Sequence, residues 1–177
     1  MKYGATAIMR PPEISKDTSC DIEWVKHALS SVYCSYFAIL RPTNPFRSAE
    51  MIQEAWGLFD ISGADSLRAM QPISEHPGKM WKIFNGMARA HDLESIAEAL
   101  YDQPTQSLEQ GIYIQNASLQ IGKTINVFER DTLTGTNVIP YITKGYTGFD
   151  INTENDWMFA EMLIEKRLAK LPETKVK

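Results

Sequence analysis

Two oxygen-bearing side chains spaced two residues apart, Asp150 and Asn152, stand just ahead of a helix-forming stretch near the end of the chain. On extended backbone such residues share a face, so together they can hold one hard cation such as Mg²⁺. The competing role for Asp150 is that of a favourable negative charge beside a helix N-terminus. Far upstream, Arg41-Pro42-Thr43-Asn44-Pro45-Phe46-Arg47 combines two guanidinium groups with two polar side chains and two stiffening prolines. Arginines there, next to the N-terminus of a following helix, suit anionic oxygens; the plain alternative is an exposed loop. Glu75-His76-Pro77-Gly78-Lys79 places a carboxylate, an imidazole and an ammonium close together, as a substrate-covering loop or as a solvated turn. Gln115 and Asn116 put adjacent amides inside a strand pattern. They point to opposite faces, so only one can enter a given pocket, and Asn116 also suits a role satisfying backbone groups at a bulge.

The elements that must position these residues read as an alternation of helices and strands. Ala5–Ile8 is a short apolar strand pattern ended by Pro11 and Pro12. From Asp21, with Ser19 or Asp21 as cap, Ile22, Val25, Ala28, Leu29 and Val32 fall on one helical face. Tyr36–Leu40 is continuously apolar, the pattern of a strand buried on both faces of a parallel sheet. A second helix runs from about Ser48 to Phe59 through Met51, Ile52, Ala55 and Trp56. The result is an open α/β sheet, in which ligands bind beyond the carboxyl ends of strands, where the 41–47 loop sits. Further strands are expected at 66–72, 111–121 and 137–142, with a hairpin from Met80 to Phe84 turning at Asn85-Gly86. Residues 87–103 read as helical or irregular, with Leu93, Ile96, Ala97 and Leu100 on one face. A last helix spans about Thr153 to Leu168, with Thr153 and Asp156 as a capping box and Trp157, Ala160, Ile164 and Leu168 as its buried stripe. Residues 1–170 form a single domain with an insertion at about 66–121, followed by a loose tail at 171–177.

Composition narrows the function. The chain has 177 residues, 44% of them hydrophobic, with 22 acidic against 18 basic side chains and a net charge of -4. A broad basic face for nucleic acid is therefore excluded as a reading. No apolar run reaches the ~20 residues of a bilayer span, and the opening lacks a signal-peptide core. The two cysteines, Cys20 and Cys34, form no CxxC pair, which points to reduced thiols in a cytoplasmic protein.

In this order, Leu40–Arg47, Ser74–Trp81, Tyr113–Ala117 and Gly148–Asn152 resemble motifs of the acylneuraminate cytidylyltransferase family, the CMP-sialic acid synthetases and relatives that act on other nonulosonic acids. The first segment is similar to that family's QPTSPLR stretch, the third to its QNG strand and the fourth to its DID metal motif. The resemblance covers about residues 3–168, including Tyr3-Gly4-Ala5 through Arg10-Pro11, which is similar to the family's third strand. It implies a Rossmann-like nucleotidyltransferase sheet, N-terminally truncated, with an inserted hairpin or dimerisation region. It implies transfer of CMP from CTP to an acidic nine-carbon sugar with release of pyrophosphate and with Mg²⁺ as cofactor. Asp150 would be catalytic and, with Asn152, a metal ligand. Arg41, Thr43, Asn44, Arg47, His76, Lys79, Gln115 and Asn116 would bind substrate, in a homodimer where His76 and Lys79 approach the partner's site. The departures are specific: Arg41 stands for the family's Gln, Asn44 for Ser, Phe46 for Leu and Asn152 for the second Asp. No arginine occurs near Thr105-Gln106 ahead of the QNG-like strand, and the 177 residues contain no loop of the ARGGSKG type to cradle a triphosphate. The chain by itself is accordingly expected to be inactive. The alternatives are a non-catalytic remnant that binds or dimerises, and a nucleotidyltransferase for another sugar acid.

Overall fold

The computed structural model describes residues 4–91 and 93–173, and of Leu93 its backbone. Tyr3 of the opening segment, the side chain of Leu93 and residues 174–177 of the expected tail lie outside the described residues. The chain divides into two compact units, one made of the residues up to Met70 together with those from Gln115 onward, the other of Gln71–Ile114.

In the first unit, α1 (Asp21–Leu29) begins at Cys20, whose backbone N–H donates to the Glu23 carboxylate at 2.8 Å. The cap is thus neither Ser19 nor Asp21: the Ser19 hydroxyl accepts from Lys16 N, and the Asp21 carboxylate accepts from Trp24 Nε1. Val25 is buried with Ile39, Val127 and Leu133, while Val32 lies beyond the helix end and is exposed. β1 (Tyr36–Ile39) is followed by α2 (Ala49–Ser62), β2 (Ser66–Pro72), β5 (Tyr113–Lys123), α4 (Thr124–Glu129), β6 (Val138–Ile142) and α5 (Glu154–Glu165). Between β2 and β5 the chain forms β3 (Trp81–Phe84), β4 (Met87–Ala90) and α3 (Leu93–Ala97).

The sheet has strand order β1-β5-β2-β6 and is mixed: β1 runs antiparallel to β5, and β2 parallel to β6. This corrects the expectation for Tyr36–Leu40. β1 is an edge strand in an antiparallel pair, with Ile39 buried, Phe37 partly buried and Tyr36 and Ala38 exposed. A short apolar run fits an edge as readily as a centre, because periodicity carries no information about neighbours. The Ala5–Ile8 pattern forms no strand: no partner strand lies against it among the described residues, and an isolated apolar segment has no ladder to join.

Alternation along β2 and β5 separates two environments. Leu67 and Ala69, with Leu119 and Ile121, are buried against Met51, Ala55 and Phe59 of α2. The intervening positions are polar: Ser66, Arg68, Ser118 and Gln120, of which all but Arg68 are buried. At the start of β2, Asp65 Oδ2 accepts hydrogen bonds from Thr136 N (3.1 Å), Thr136 Oγ1 (3.0 Å), Asn137 N (3.2 Å) and Arg130 (3.0 Å). Gly135 passes so close, with φ +72°, that a Cβ would come within 2.6 Å of Asp65 Cβ. The backbone N–H groups of Thr136 and Asn137 hold the Asp65 carboxyl down at about 2. Its folded value lies below the unfolded one of about 3.9, so its stabilisation is complete above that value and is lost as pH falls through about 2. Asp65→Asn is expected to lower the urea midpoint at pH 6 and to differ little from wild type at pH 2; an equal gap at both pH values would remove this role.

α5 keeps its expected cap, Thr153 Oγ1 accepting from Asp156 N at 3.3 Å, but its buried stripe is shifted. Ala160 and Leu163 are buried with Phe46, against Phe149 and Ile151. Trp157, Ile164 and Leu168 are exposed, and the helix ends at Glu165. Trp157, Met158, Phe159, Met162, Leu163 and Ile164 make most of its surface apolar, so spacing alone could not select the face.

The second unit carries the β3–β4 hairpin, turning at Asn85 (φ +49°) and Gly86 (φ +76°) as the Asn-Gly signal requires. Met80, Trp81, Ile83, Phe84 and Met87 are exposed, although the Trp81 ring also packs on Tyr101 with centroids 4.8 Å apart. Residues 87–103 differ from expectation. Met87–Ala90 pairs as a strand, and in α3 it is Ser95 that is buried while Ile96 and Ala97 are exposed. Strand pairing across the tight turn claims the residues that a helix would have used.

Candidate functional site

The 41–47 loop leaves the carboxyl end of β1 and feeds α2, whose N-cap Ser48 accepts from Met51 N at 3.2 Å. Both prolines precede that cap, so the loop has few free backbone angles. Phe46 is buried beneath it against α5. Asn44 is buried and uses its amide nitrogen twice, donating to Thr147 O at 2.8 Å and Phe149 O at 2.9 Å. Thr43 O accepts from Ile151 N at 2.9 Å. The backbone on both sides of Asp150 is therefore clamped by the 41–47 loop. Two sequence-selected segments more than a hundred residues apart form one polar corner.

Within that corner, Asp150 Oδ2 accepts from Asn152 Nδ2 at 2.9 Å, while Asp150 Oδ1 is buried without a hydrogen-bond partner among the described residues. Asn44 Oδ1 is buried and, among the described residues, unpartnered as well. The helix-capping alternative for Asp150 is filled by others: Asp156 accepts from Asn152 N (3.1 Å) and Thr153 N (2.8 Å), and Thr153 Oγ1 closes the box. Those bonds, the Thr153 hydroxyl's first, hold the Asp156 carboxyl below its ordinary range. No group of three or more His, Cys, Asp or Glu residues suited to a metal occurs among the described residues. A single orphaned carboxylate oxygen nevertheless fits Mg²⁺, which keeps several other oxygens and takes one or two carboxylates beside substrate phosphates. Asn152 turns its amide nitrogen toward Asp150, so its oxygen faces away from that carboxylate contact.

The arginines of the loop are anchored differently. Arg41 pairs with Asp21. Arg47 Nη1 donates to Arg41 O at 3.1 Å and to Ser118 O at 2.6 Å, and burial lowers its pKa. Gln115 Oε1 accepts from Arg68 Nη1 at 3.0 Å. Asn116 Nδ2 donates to Thr143 Oγ1 at 3.0 Å, and its Oδ1 accepts from Ser118 N and Oγ, which joins β5 to the segment after β6. Arg68 was missed in the sequence; its signal was a charge placed between Leu67 and Ala69 in an otherwise buried strand. Beside Arg41, a cleft of about 380 Å³ is lined by Arg10, Trp24, His27, Ile39 and Leu40. It lies at the carboxyl end of β1, where an open α/β sheet places ligands.

His76 and Lys79 belong to the second unit. His76 is buried, and its Nδ1 accepts from Gly78 N at 3.0 Å, which leaves Nε2 as the donor nitrogen; Nε2 has no partner among the described residues. Lys79 Nζ donates to Tyr101 O at 2.9 Å and to Gln103 O. Among the described residues, no helix is long and apolar enough to cross a membrane.

A mixed α/β sheet whose strand-end loop clamps an aspartate segment defines the chain as an α/β protein, and sequence comparison narrows the class. No family model matches the chain. It is 46% identical over 59 residues to the N-acylneuraminate cytidylyltransferase of Escherichia coli, covering 32% of this chain and 14% of that protein. It is 27% identical over 175 residues to the CMP-N,N'-diacetyllegionaminic acid synthase of Legionella pneumophila, covering 93% of this chain and 72% of that protein. With the N-acylneuraminate cytidylyltransferase of Streptococcus agalactiae it shares 23% identity over 160 residues, 89% of this chain and 37% of the relative. The chain thus spans well under half the length of two of these three relatives. Over most of its length its sequence is similar to those of acylneuraminate cytidylyltransferases and their relatives.

Proposed function

We propose that this chain carries the strand-end portion of a cytidylyltransferase that joins CMP to a nonulosonic acid. The observation that supports this most directly is the clamp of Asn44 and Thr43 around Asp150, which keeps one carboxylate oxygen buried and unpartnered. In the reaction, the anomeric hydroxyl oxygen of the sugar forms a bond to the α-phosphorus of CTP. The bond from that phosphorus to the bridging oxygen breaks, the hydroxyl proton is lost and pyrophosphate leaves. Mg²⁺, held by Asp150, with Asn152 assisting after a turn of its amide that brings the oxygen to the ion, would supply charge neutralisation at the phosphates. The protein's own part is positioning: Arg41, Thr43, Asn44 and Arg47 shape the strand-end loop, and Gln115 and Asn116 brace the sheet beside it. His76 and Lys79 are assigned to substrate in the second unit, and a cytoplasmic location goes with the use of CTP.

Saturation-transfer NMR with N-acetylneuraminate, a legionaminic acid and neutral hexoses tests this reading. Selective binding of an acidic nine-carbon sugar is expected; equal or absent binding would overturn it. The 177-residue chain is expected not to release pyrophosphate from CTP, because no segment of it supplies a Gly-rich phosphate loop; steady release would refute that expectation.

The exposed hairpin favours a homodimer as part of this proposal. Trp81, Phe84 and Met87 offer an apolar surface that an isolated hairpin leaves uncovered, and a twofold pair is the simplest closed arrangement. Sedimentation at micromolar concentration should show a discrete dimer weakened by Trp81→Ala. A monomer unaffected by the substitution would exclude it.

A further inference from the structure

The second unit holds a buried imidazole that uses one nitrogen and leaves the other without an acceptor among the described residues. His76 caps the one-turn 3₁₀ helix Pro77–Lys79 through Nδ1, which accepts from Gly78 N at 3.0 Å. The seat is tight: a Cβ on Gly78 would stand 3.0 Å from that nitrogen and 2.9 Å from Leu100 Cβ. Nε2 is therefore the donor, and it is buried and unpartnered among the described residues, in a residue only 8% exposed. A buried N–H with no acceptor is costly and rare, so an acceptor brought by a ligand is its expected partner. Two cavities, of about 160 and 260 Å³, are both lined by His76 and Glu109. The smaller is also lined by Glu94, Glu98, Gln103 and Ser107. Among the described residues no ion pair neutralises Glu94, Glu98 or Glu109. Lys79, three residues from His76, turns its Nζ to Tyr101 O and Gln103 O instead.

Like charges around a cleft focus a negative potential that draws cations. A metal ion does not fit. Among the described residues these carboxylates form no metal-holding group, and Nε2, carrying the ring proton, has no lone pair to offer. Both features suit a small organic ammonium ion that also carries an oxygen, and two cavities bounded by one ring leave room for a molecule of amino-sugar size. We propose that the second unit binds such a cation, a primary ammonium bearing a hydroxyl or carbonyl oxygen. The ammonium lies among Glu94, Glu98 and Glu109, and the oxygen accepts from His76 Nε2. The substrates of the proposed CMP transfer are anions, so this is a further ligand, and the site rests on the second unit whatever the chain transfers.

Titration of the full chain with glucosamine at neutral pH, read by calorimetry and by the nitrogen-edited NMR signal of the His76 Nε2–H, tests the site. Glucosamine is expected to bind and to shift that signal. Glucose, which lacks the ammonium, should bind at least about tenfold more weakly. Glu109→Gln should weaken glucosamine about tenfold, the effect of losing a charge-assisted hydrogen bond, whereas Glu13→Gln, in the first unit, should not. His76→Asn keeps an oxygen able to accept from Gly78 N but removes the Nε2 donor, and should weaken binding about fivefold. No binding of glucosamine by wild type, equal binding of glucose, or unchanged affinity in both Glu109→Gln and His76→Asn overturns the site. Should His76→Asn fail to match wild type in its urea midpoint, Glu109→Gln and Glu98→Gln, both at exposed positions, decide alone. If N-acetylneuraminate shifts the His76 signal and glucosamine does not, the cation site falls and the substrate role of His76 in CMP transfer stands. Glucosamine binding without selectivity for an acidic nine-carbon sugar would uphold the site and remove the cytidylyltransferase reading.

Discussion

Replacement of Asp150 by Ala is expected to abolish divalent-cation binding at the strand-end corner while leaving the fold in place. The segment around Asp150 is fixed through backbone groups, Phe149 O and Ile151 N, so the carboxylate is not needed to hold it. The side chain's one internal bond is to Asn152, itself exposed. Removal therefore costs little stability and takes away the carboxylate of the pair. Mn²⁺ titration followed by electron paramagnetic resonance should show bound ion in wild type and at least about a hundredfold weaker binding in Asp150→Ala. A comparable loss of turnover is expected in an active form of the protein, since a metal at a phosphoryl centre contributes several kcal/mol. Asn152→Ala should have a smaller effect, because that residue brings no charge. Normal Mn²⁺ binding by Asp150→Ala would leave the aspartate with no more than a local electrostatic part beside the helix.

How far the sequence revealed this corner depends on the kind of signal. The 41–47 loop and Asp150 were legible because proline, arginine and a carboxylate before a capping box are local patterns. The clamp between them was not, since nothing in the spacing of Asn44 indicates Thr147 O or Phe149 O as its acceptors. Asn44 could be named as a substrate contact only by resemblance; the structure gives it a positioning task as well. The helices α1, α2 and α5 were found in nearly their true places, and β2, the hairpin turn and β6 likewise, because capping residues and Asn-Gly turns act over a few residues; α4 was not anticipated. What failed was everything fixed by partners. Tyr36–Leu40 was read as central and parallel, yet β5 meets it antiparallel at an edge. The α5 stripe was assigned to Trp157, Ala160, Ile164 and Leu168, yet of these only Ala160 is buried, and Phe46 selects it together with Leu163. Arg68 was passed over because a lone charge in a strand gains meaning only from its partners Gln115 and Thr134, which are distant in sequence.

Phe46→Ala is expected to produce the largest loss of stability of any change in the strand-end loop. The ring is 4% exposed and packs with Ala160 and Leu163, with the Phe149 ring 6.1 Å away between centroids. Truncating a buried aromatic residue costs about 3–5 kcal/mol, because apolar surface is lost and the cavity collapses only in part. Against a typical total of about 5–15 kcal/mol this is a large fraction. Phe46→Leu, which introduces the residue standing at this place in the family motif, keeps an apolar knob and should cost about 1–1.5 kcal/mol. Urea denaturation would separate the two. A cost under about 1 kcal/mol for Phe46→Ala would mean that the loop is not anchored through this core. The same anchor links fold to chemistry: Phe46 lies two residues from Asn44, and Phe149 immediately precedes Asp150. If the core positions the corner, Phe46→Ala should also weaken Mn²⁺ binding at protein concentrations and temperatures where the variant remains folded. Unchanged binding there would show that the hydrogen bonds of Asn44 and Thr43 hold the aspartate segment unaided by the apolar core beneath them.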